Sequence, residues 1–317
     1  MLIPLLAYLL LVSPSGLPTD LQTTTQAVTG NIQAKLSPAE ISDLQKRADS
    51  GDATAQFALG KAYESGNGVP PRADQAAIWY RKAAEQGHEK AQNDLGILYW
   101  LGDGVEQDKA EAVRWYRKAA RQGNSNAMFN LGAAYYNGEG VGRNDTLAYA
   151  WFLLSSEAGN SSGQDAAKRS RAENGSGGFS HACLAIGQMY EKGEDLPKNL
   201  ETAAAWYRKA AQQGYAEAMI SLAALYLKTS DYSQARPWCE AAAKEKRTGA
   251  YYCLGYLYQH GSGVDPNSKE ALRWYEQGAR AGNVPPCRLW PGCMNKARVR
   301  RRTAFRHSCG FTSPRKR

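Results

Sequence analysis

Four histidines, six cysteines and several glycine pairs are where chemistry would first be sought in this 317-residue chain. His88, His181, His260 and His307 lie far apart, without the spacing that puts two imidazoles on one helix face to hold zinc. Gly66-x-Gly68, Gly102-x-Gly104 and Gly138-x-Gly140 would suit a phosphate loop, yet a nucleotide fingerprint needs a preceding strand and another glycine spacing. Their return at one interval is what structural turns do. The single S-x-x-K runs from Ser313 to Lys316 at the far end. Cys287, Cys293, His307 and Cys309 can be drawn as a zinc site, but C-x5-C and H-x-C are not the spacings such sites use. Cys183, Cys239 and Cys253 are an odd number and read as buried free thiols rather than a disulfide framework. These residues give no catalytic, metal or cofactor site, and none is expected.

Charge narrows the partners. The formal net charge is +9, but residues 284–317 hold ten Lys or Arg and no acid, so the rest of the chain carries 29 basic against 30 acidic residues. Arg300-Arg301-Arg302 with Phe305 and Phe311 could hold a polyanion, although charge runs of this kind are usually solvated tails. No nucleic-acid partner is expected. A hydrophobic content of 43%, a charged content of 22% and a mean hydropathy of −0.55 fit a folded, water-facing chain without a bilayer-length apolar run. The opening MLIPLLAYLLLV, followed by Ser13-Pro14-Ser15-Gly16, has the length of a secretory apolar core. A signal peptide is expected over residues 1–15 and a flexible spacer over 16–36. The protein would then be periplasmic or secreted, and cytoplasmic if the signal is not used.

What organises the chain is a period of 36: Gly60, Gly96 and Gly132 are so spaced, as are Gly66, Gly102 and Gly138, Trp79, Trp115 and Trp151, and Gly87, Gly123 and Gly159. Gly187, Gly193, Trp206 and Gly214 repeat the internal offsets, and so do Gly255, Gly261, Trp274 and Gly282. Between them the stretch from Leu222-Ala223 to Trp238 is a repeat shortened in its loop. Each unit predicts two helices. Ala55, Leu59, Ala62 and Tyr63 make one apolar stripe that stops at Gly66. Ala76, Trp79, Tyr80, Ala83 and Ala84 make a second, stopping at Gly87. Asp108 with Glu111 predicts a capping box, and Asn144, Asn199 and Asn267 share the cap column. A hairpin with two apolar faces must stack on its neighbours, so the fold class is all-α, an α-solenoid of antiparallel helix pairs.

The pattern LGxxYxxGxGV followed by a helix reading A-xx-WYRKAA-xx-G resembles the Sel-1-like repeat family, relatives of the tetratricopeptide repeats. The resemblance covers residues 51–282. Leu36-Ser37-Pro38-Ala39-Glu40 opens a half-repeat. The expected organisation is a first array over 37–173 ending in a polar helix from Gln164 to Glu173, a linker over 174–178, a second array over 179–283, and a disordered basic tail over 284–317. Some secreted members of the family are linked to β-lactam binding or hydrolysis, but those carry C-x7-C pairs that this chain lacks. The resemblance implies a non-catalytic adaptor or scaffold that binds a protein or peptide in the concave groove lined by the first helices. Three columns point there, three before, one after and four after the repeat glycine, and they nominate Asn93, Trp100, Phe129, Tyr136, Tyr252 and Tyr256.

The tail itself reads as a further repeat translated out of frame. One base earlier, the codons of Trp290 and Met294 force alanine at position 291 and glutamate at 295, both in register. Permitted codons complete AMQALAGMYEQGEGTPPDRVPAFLW over 286–310, with Tyr, two Gly, Asp and Trp each 36 after Tyr258, Gly261, Gly263, Asn267 and Trp274.

Overall fold

The computed structural model describes residues 35–281. The expected signal peptide, nearly all of the spacer, and the tail with Cys287, Cys293, His307 and Cys309 lie outside the described residues. Within them are thirteen helices and no strand. They are α1 Pro38–Asp49, α2 Ala53–Ser65, α3 Ala73–Glu85, α4 Glu89–Leu101, α5 Lys109–Arg121, α6 Ser125–Asn137, α7 Asp145–Glu157, α8 Ser161–Lys192, α9 Leu200–Gln212, α10 Ala216–Lys228, α11 Tyr232–Lys244, α12 Thr248–His260 and α13 Ser268–Arg280. Consecutive helices pair antiparallel, which makes each array an α-solenoid. The chain divides into two compact units between Gly178 and Phe179, with Asp195–Pro197 grouped with the first.

Helix ends follow side-chain chemistry. Ser37 and Glu40 close a capping box on α1, with Pro38 in the first turn. Asp52, His88 and Asn124 cap α2, α4 and α6, and Asp108, Asn144, Asn199 and Asn267 cap α5, α7, α9 and α13. The capping box predicted at Asp108 is only half made. Its carboxylate accepts from Glu111 N, but its own N–H is spent on Tyr99 O at 3.0 Å, and Glu111 turns to Arg114 at 2.9 Å. Gly66, Gly102, Gly138 and Gly261 end the first helices with φ between 65° and 74°.

Two glycine columns set the packing. A Cβ on Gly60, Gly96, Gly132, Gly187 or Gly255 would lie 2.4–2.7 Å from the ring of Tyr80, Tyr116, Phe152, Tyr207 or Tyr275, so the second helix seats an aromatic ring directly against the first. A Cβ on Gly104 or Gly140 would lie 2.2 Å from backbone at Ala73 or Lys109, where each turn rests on the start of the preceding repeat's second helix. Tyr80, Ala76, Ala77, Ala83 and Ala84 then pack on Ala91, Leu95 and Leu98 of α4, while Trp79 faces back onto Ala48, Ala55 and Leu59.

Departures from the period are local. The α8 span is two helices joined at a kink, where Gly175 leaves helical geometry (φ 64°, ψ −162°), within the stretch expected as a linker. The shortened repeat turns through Ser230 at φ 62°, and Lys246 sits at φ 55° where other repeats have glycine. The expectation of free thiols at Cys239 and Cys253 is corrected: they form a disulfide, Cα to Cα 5.9 Å, between α11 and α12. Antiparallel pairing puts residues 14 apart face to face, which spacing along the sequence does not display. Cys183 is free and buried.

Candidate functional site

The signature A-xx-WYRKAA is consumed by structure. Lys82, Lys118 and Lys209 lie 3.7–3.8 Å over Trp79, Trp115 and Trp206, covering each indole with a cation. Arg81, Arg117 and Arg208 donate to the hydroxyls of Tyr99, Tyr135 and Tyr226, 18 residues on, tying each second helix to the next first helix. Buried Gln56 and Gln92 donate to Ala48 O and Ala84 O, and each accepts from Gln86 or Gln122. These side chains are already committed, and a binding face has to be sought among the positions that differ between repeats.

One such column lies four residues after the repeat glycine. Where it holds Glu64, Glu191 or Gln259, a tyrosine hydroxyl of the paired helix donates to it: Tyr80 at 2.7 Å, Tyr207 at 2.8 Å and Tyr275 at 3.0 Å. In the second and third repeats of the first unit the column holds Trp100 and Tyr136 instead, and the residue paired across from Tyr136 is Phe152, which has no hydroxyl. The aromatic pair replaces an internal hydrogen bond by half-buried ring surface.

The nominated residues divide by burial. Trp100 and Tyr136 are half-buried on α4 and α6, with Lys109 Nζ 5.3 Å from the Trp100 ring and the Arg143 guanidinium 5.8 Å from Tyr136. Phe129 is 7% exposed against Phe152, and Asn93 is 4% exposed, donating to Asp94 at 3.0 Å and accepting from Asn130 at 3.1 Å. Those two form the floor rather than the surface. Tyr252 and Tyr256 belong to the second unit, half-buried, beside Tyr275 and His260.

Sequence reasoning missed the polar network that joins α2, α4 and α6. Lys61 pairs with Glu64 and reaches Asp94 at 3.5 Å, and Asp94 leads through Asn93 to Asn130. Burial pushes the Asp94 carboxyl up against the pull of Lys61. Burial opposes the Lys61 charge, but Asp94 and Glu64 outweigh it and hold the ammonium protonated. Burial, then Glu64 and Asp94, drives the Tyr80 phenol far above its ordinary range, so it stays a donor. The signal was present one residue past the columns used, where Ala58, Asp94 and Asn130 stand 36 apart. The resulting face carries two aromatic rings beside a hydrogen-bonded polar strip, and it holds no nucleophile paired with a base. Among the described residues no group of three His, Cys, Asp or Glu is placed to hold a metal ion, and no helix is long and apolar enough to cross a membrane. A cavity of about 640 Å³ in the second unit, lined by Arg236, Tyr258, Pro266 and Asn267, includes none of the nominated residues.

The model of the Sel1 repeat matches residues 53–88, 89–124, 125–160, 180–215 and 248–283, more than half of the chain. The chitin synthase regulator SKT5 of Saccharomyces cerevisiae is 35% identical over 101 residues, 30% of this chain and 14% of that protein. The ERAD-associated E3 ubiquitin-protein ligase component HRD3 of Candida glabrata is 28% identical over 100 residues, 30% of this chain and 12% of that protein. The matched segment thus spans a small part of these relatives. Among solved structures, c5321, a protective antigen of uropathogenic Escherichia coli, is 34% identical, covering 77% of this chain and 56% of that one at a TM-score of 0.39. A Sel1 repeat protein from Oxalobacter formigenes is 26% identical, covering 85% and 93% at a TM-score of 0.37. The chain belongs to the Sel1 repeat family.

Proposed function

We propose that this Sel1 repeat protein is a non-catalytic adaptor or scaffold that holds a protein or peptide partner against the first-helix face of its first unit. The observation that carries the reading is the exchange of the Tyr–Glu hydrogen bond for Trp100 and Tyr136. Large rings free of an internal bonding duty, beside polar groups, are the anchors protein interfaces favour. The names of two relatives, a regulator of a synthase and a component of a ligase, support a role exercised through other proteins. Placement outside the cytoplasm is part of the proposal, supported by the apolar N-terminal run and by the Cys239–Cys253 disulfide, a bond that persists in oxidising compartments.

The test is cross-linking and co-purification of the chain from its own host, followed by affinity measurement on the partner found. Trp100→Ala and Tyr136→Ala should each weaken binding about thirtyfold, the equivalent of ~2 kcal/mol at an anchor. Glu85→Ala, on an exposed position of α3, should leave it unchanged. Normal binding by both aromatic variants overturns the assignment of the face, and unfolding of both makes the rings core.

A further inference from the structure

The second helix of the last described repeat, α13, exposes what its counterparts bury. Leu272 is 39% exposed, whereas Ala77 and Val113 in the same column are 3% and 1%. Tyr275 and Trp274 are half-buried, whereas Tyr80, Tyr116 and Tyr207 and their tryptophans are buried. In the first unit this face of α3 is covered by Ala91, Leu95 and Leu98 of the following helix. In the second unit, Cys253, Leu254 and Leu257 of α12 pack in the same way on Cys239 of α11. One period beyond Ala250, Leu254 and Leu257, the covering positions for α13 are 286, 290 and 293.

The residues written there, Pro286, Trp290 and Cys293, do not continue the pattern, but their codons constrain the frame one base earlier. Cysteine and tryptophan codons both begin TG. Whatever base precedes them, that frame can encode only leucine, methionine or valine at 290 and 293. Those columns hold Leu95, Leu131, Ile186, Leu222 and Leu254, and Leu98, Ala134, Met189, Leu225 and Leu257. At 291 alanine is forced, in a column of glycine and alanine. At 294 the choice is tyrosine or histidine, in the column of Tyr99, Tyr135 and Tyr226. At 295 glutamate is forced, in the column of Glu64 and Glu191, and at 297 the choice is glycine or serine, in the column of the helix-ending glycines. Six positions, each restricted by the genetic code, fall into the six columns that define a first helix.

We propose that the DNA encoding residues 286–310 carries, one base earlier, a further repeat, and that the first helix of this repeat is the occupant for which the exposed face of α13 is built. A leucine-like residue at 290 and another at 293 meet Leu272 and Tyr275 as Leu95 and Leu98 meet Ala77 and Tyr80. The tyrosine-column residue at 294 falls 18 after Glu276, the separation of the Arg–Tyr ties, with a carboxylate in the arginine's place.

Sequencing the gene across the codons of Val284 to Arg317 is the first test. The earlier frame should be open and specify alanine at 286 and glycine at 297 and 299. A TAG across Cys287–Arg288 or a TAA across Asn295–Lys296 overturns the proposal. The second test is on the protein. When residues 286 onward are replaced by the earlier-frame reading, amide exchange over residues 268–280 should slow at least tenfold relative to the present chain, and equal exchange overturns it. Leu272→Lys in the present chain gives an independent check. An unchanged melting temperature is expected of an uncovered face, and a drop as large as that of Val113→Lys would show the face already occupied.

Discussion

If aromatic rings seated on glycine set the spacing of each helix pair, adding a single methyl group should push the pair apart. In Gly96→Ala the new Cβ would lie 2.7 Å and 2.8 Å from two ring carbons of Tyr116 and 3.2 Å from Ala112 O. Both residues are buried, and the ring cannot retreat because the following repeat packs behind it. Overpacking of this kind costs roughly 1–3 kcal/mol, and the better helix propensity of alanine returns about 1 kcal/mol. The net loss should be about 0–2 kcal/mol, or a melting temperature lower by up to about 8 °C. Two further glycines bracket it. Gly104 has φ +69° and a Cβ position 2.2 Å from backbone that cannot rotate away, so Gly104→Ala should cost more, about 2–4 kcal/mol. Gly142 has nothing within 4 Å, and Gly142→Ala should be neutral or slightly stabilising. Urea unfolding followed by circular dichroism gives the order. A double-mutant cycle with Tyr116→Val, which removes both close ring atoms, should abolish most of the Gly96→Ala cost. Equal stability of the Gly104→Ala and Gly142→Ala variants, or a Gly96→Ala cost unchanged in the Tyr116→Val background, would refute the packing argument.

His88 caps α4 by accepting the Ala91 N–H at Nδ1, and burial, then Lys90, lowers its pKa below the ordinary 6.5. The folded state therefore binds fewer protons than the unfolded one, so stability is full above pH 6.5 and is lost as pH falls through the folded value. Thermal melts from pH 7.5 to 5 should show this slope, and His88→Asn, which copies the Asn124 cap, should flatten it. Lys246 holds a left-handed backbone at φ 55°, so Lys246→Gly should stabilise the protein by about 1 kcal/mol, and a lower melting temperature would contradict that. Peptide mapping without reductant should recover Cys239 joined to Cys253, and reduction should lower the stability of the second unit by roughly 2–4 kcal/mol for so short a loop; an unchanged urea midpoint would show that the bond stabilises nothing.

The fold was legible because a repeat supplies its own comparison. Glycine at 60, 96 and 132 and tryptophan at 79, 115 and 151 announce the helix pair before any propensity is summed, and the caps at Asp108, Asn144, Asn199 and Asn267 are local signals that local structure obeys. What the sequence hid is what depends on facing across a pair. Cys239 and Cys253 look unrelated until antiparallel helices bring them together, and the return bond of the Asp108 capping box fails because Tyr99 O, nine residues back, takes the N–H first. Asn93 and Phe129 were nominated by column alone, and burial separates them from Trp100 and Tyr136, which share their helices.

The same comparison says where function is written. Where a column recurs, packing explains it: the glycine under the ring in all but the shortened repeat, the arginine on the next tyrosine at 81, 117 and 208, the lysine over tryptophan at 82, 118 and 209. A column that varies while the fold does not is released from that duty. Position 64 and its equivalents show the release happening: glutamate or glutamine where tyrosine donates, tryptophan or tyrosine in the middle of the first unit, with Phe152 losing the hydroxyl opposite Tyr136. Restoring the pair with Tyr136→Glu and Phe152→Tyr should rebuild the internal hydrogen bond. The double variant should be at least as stable as Tyr136→Glu alone by about 1 kcal/mol, the net worth of one such bond, and it should lose the partner. A double variant that still binds would move the interface away from this column, and one that gains no stability over the single variant would show that the glutamate–tyrosine pair does not hold these helices together.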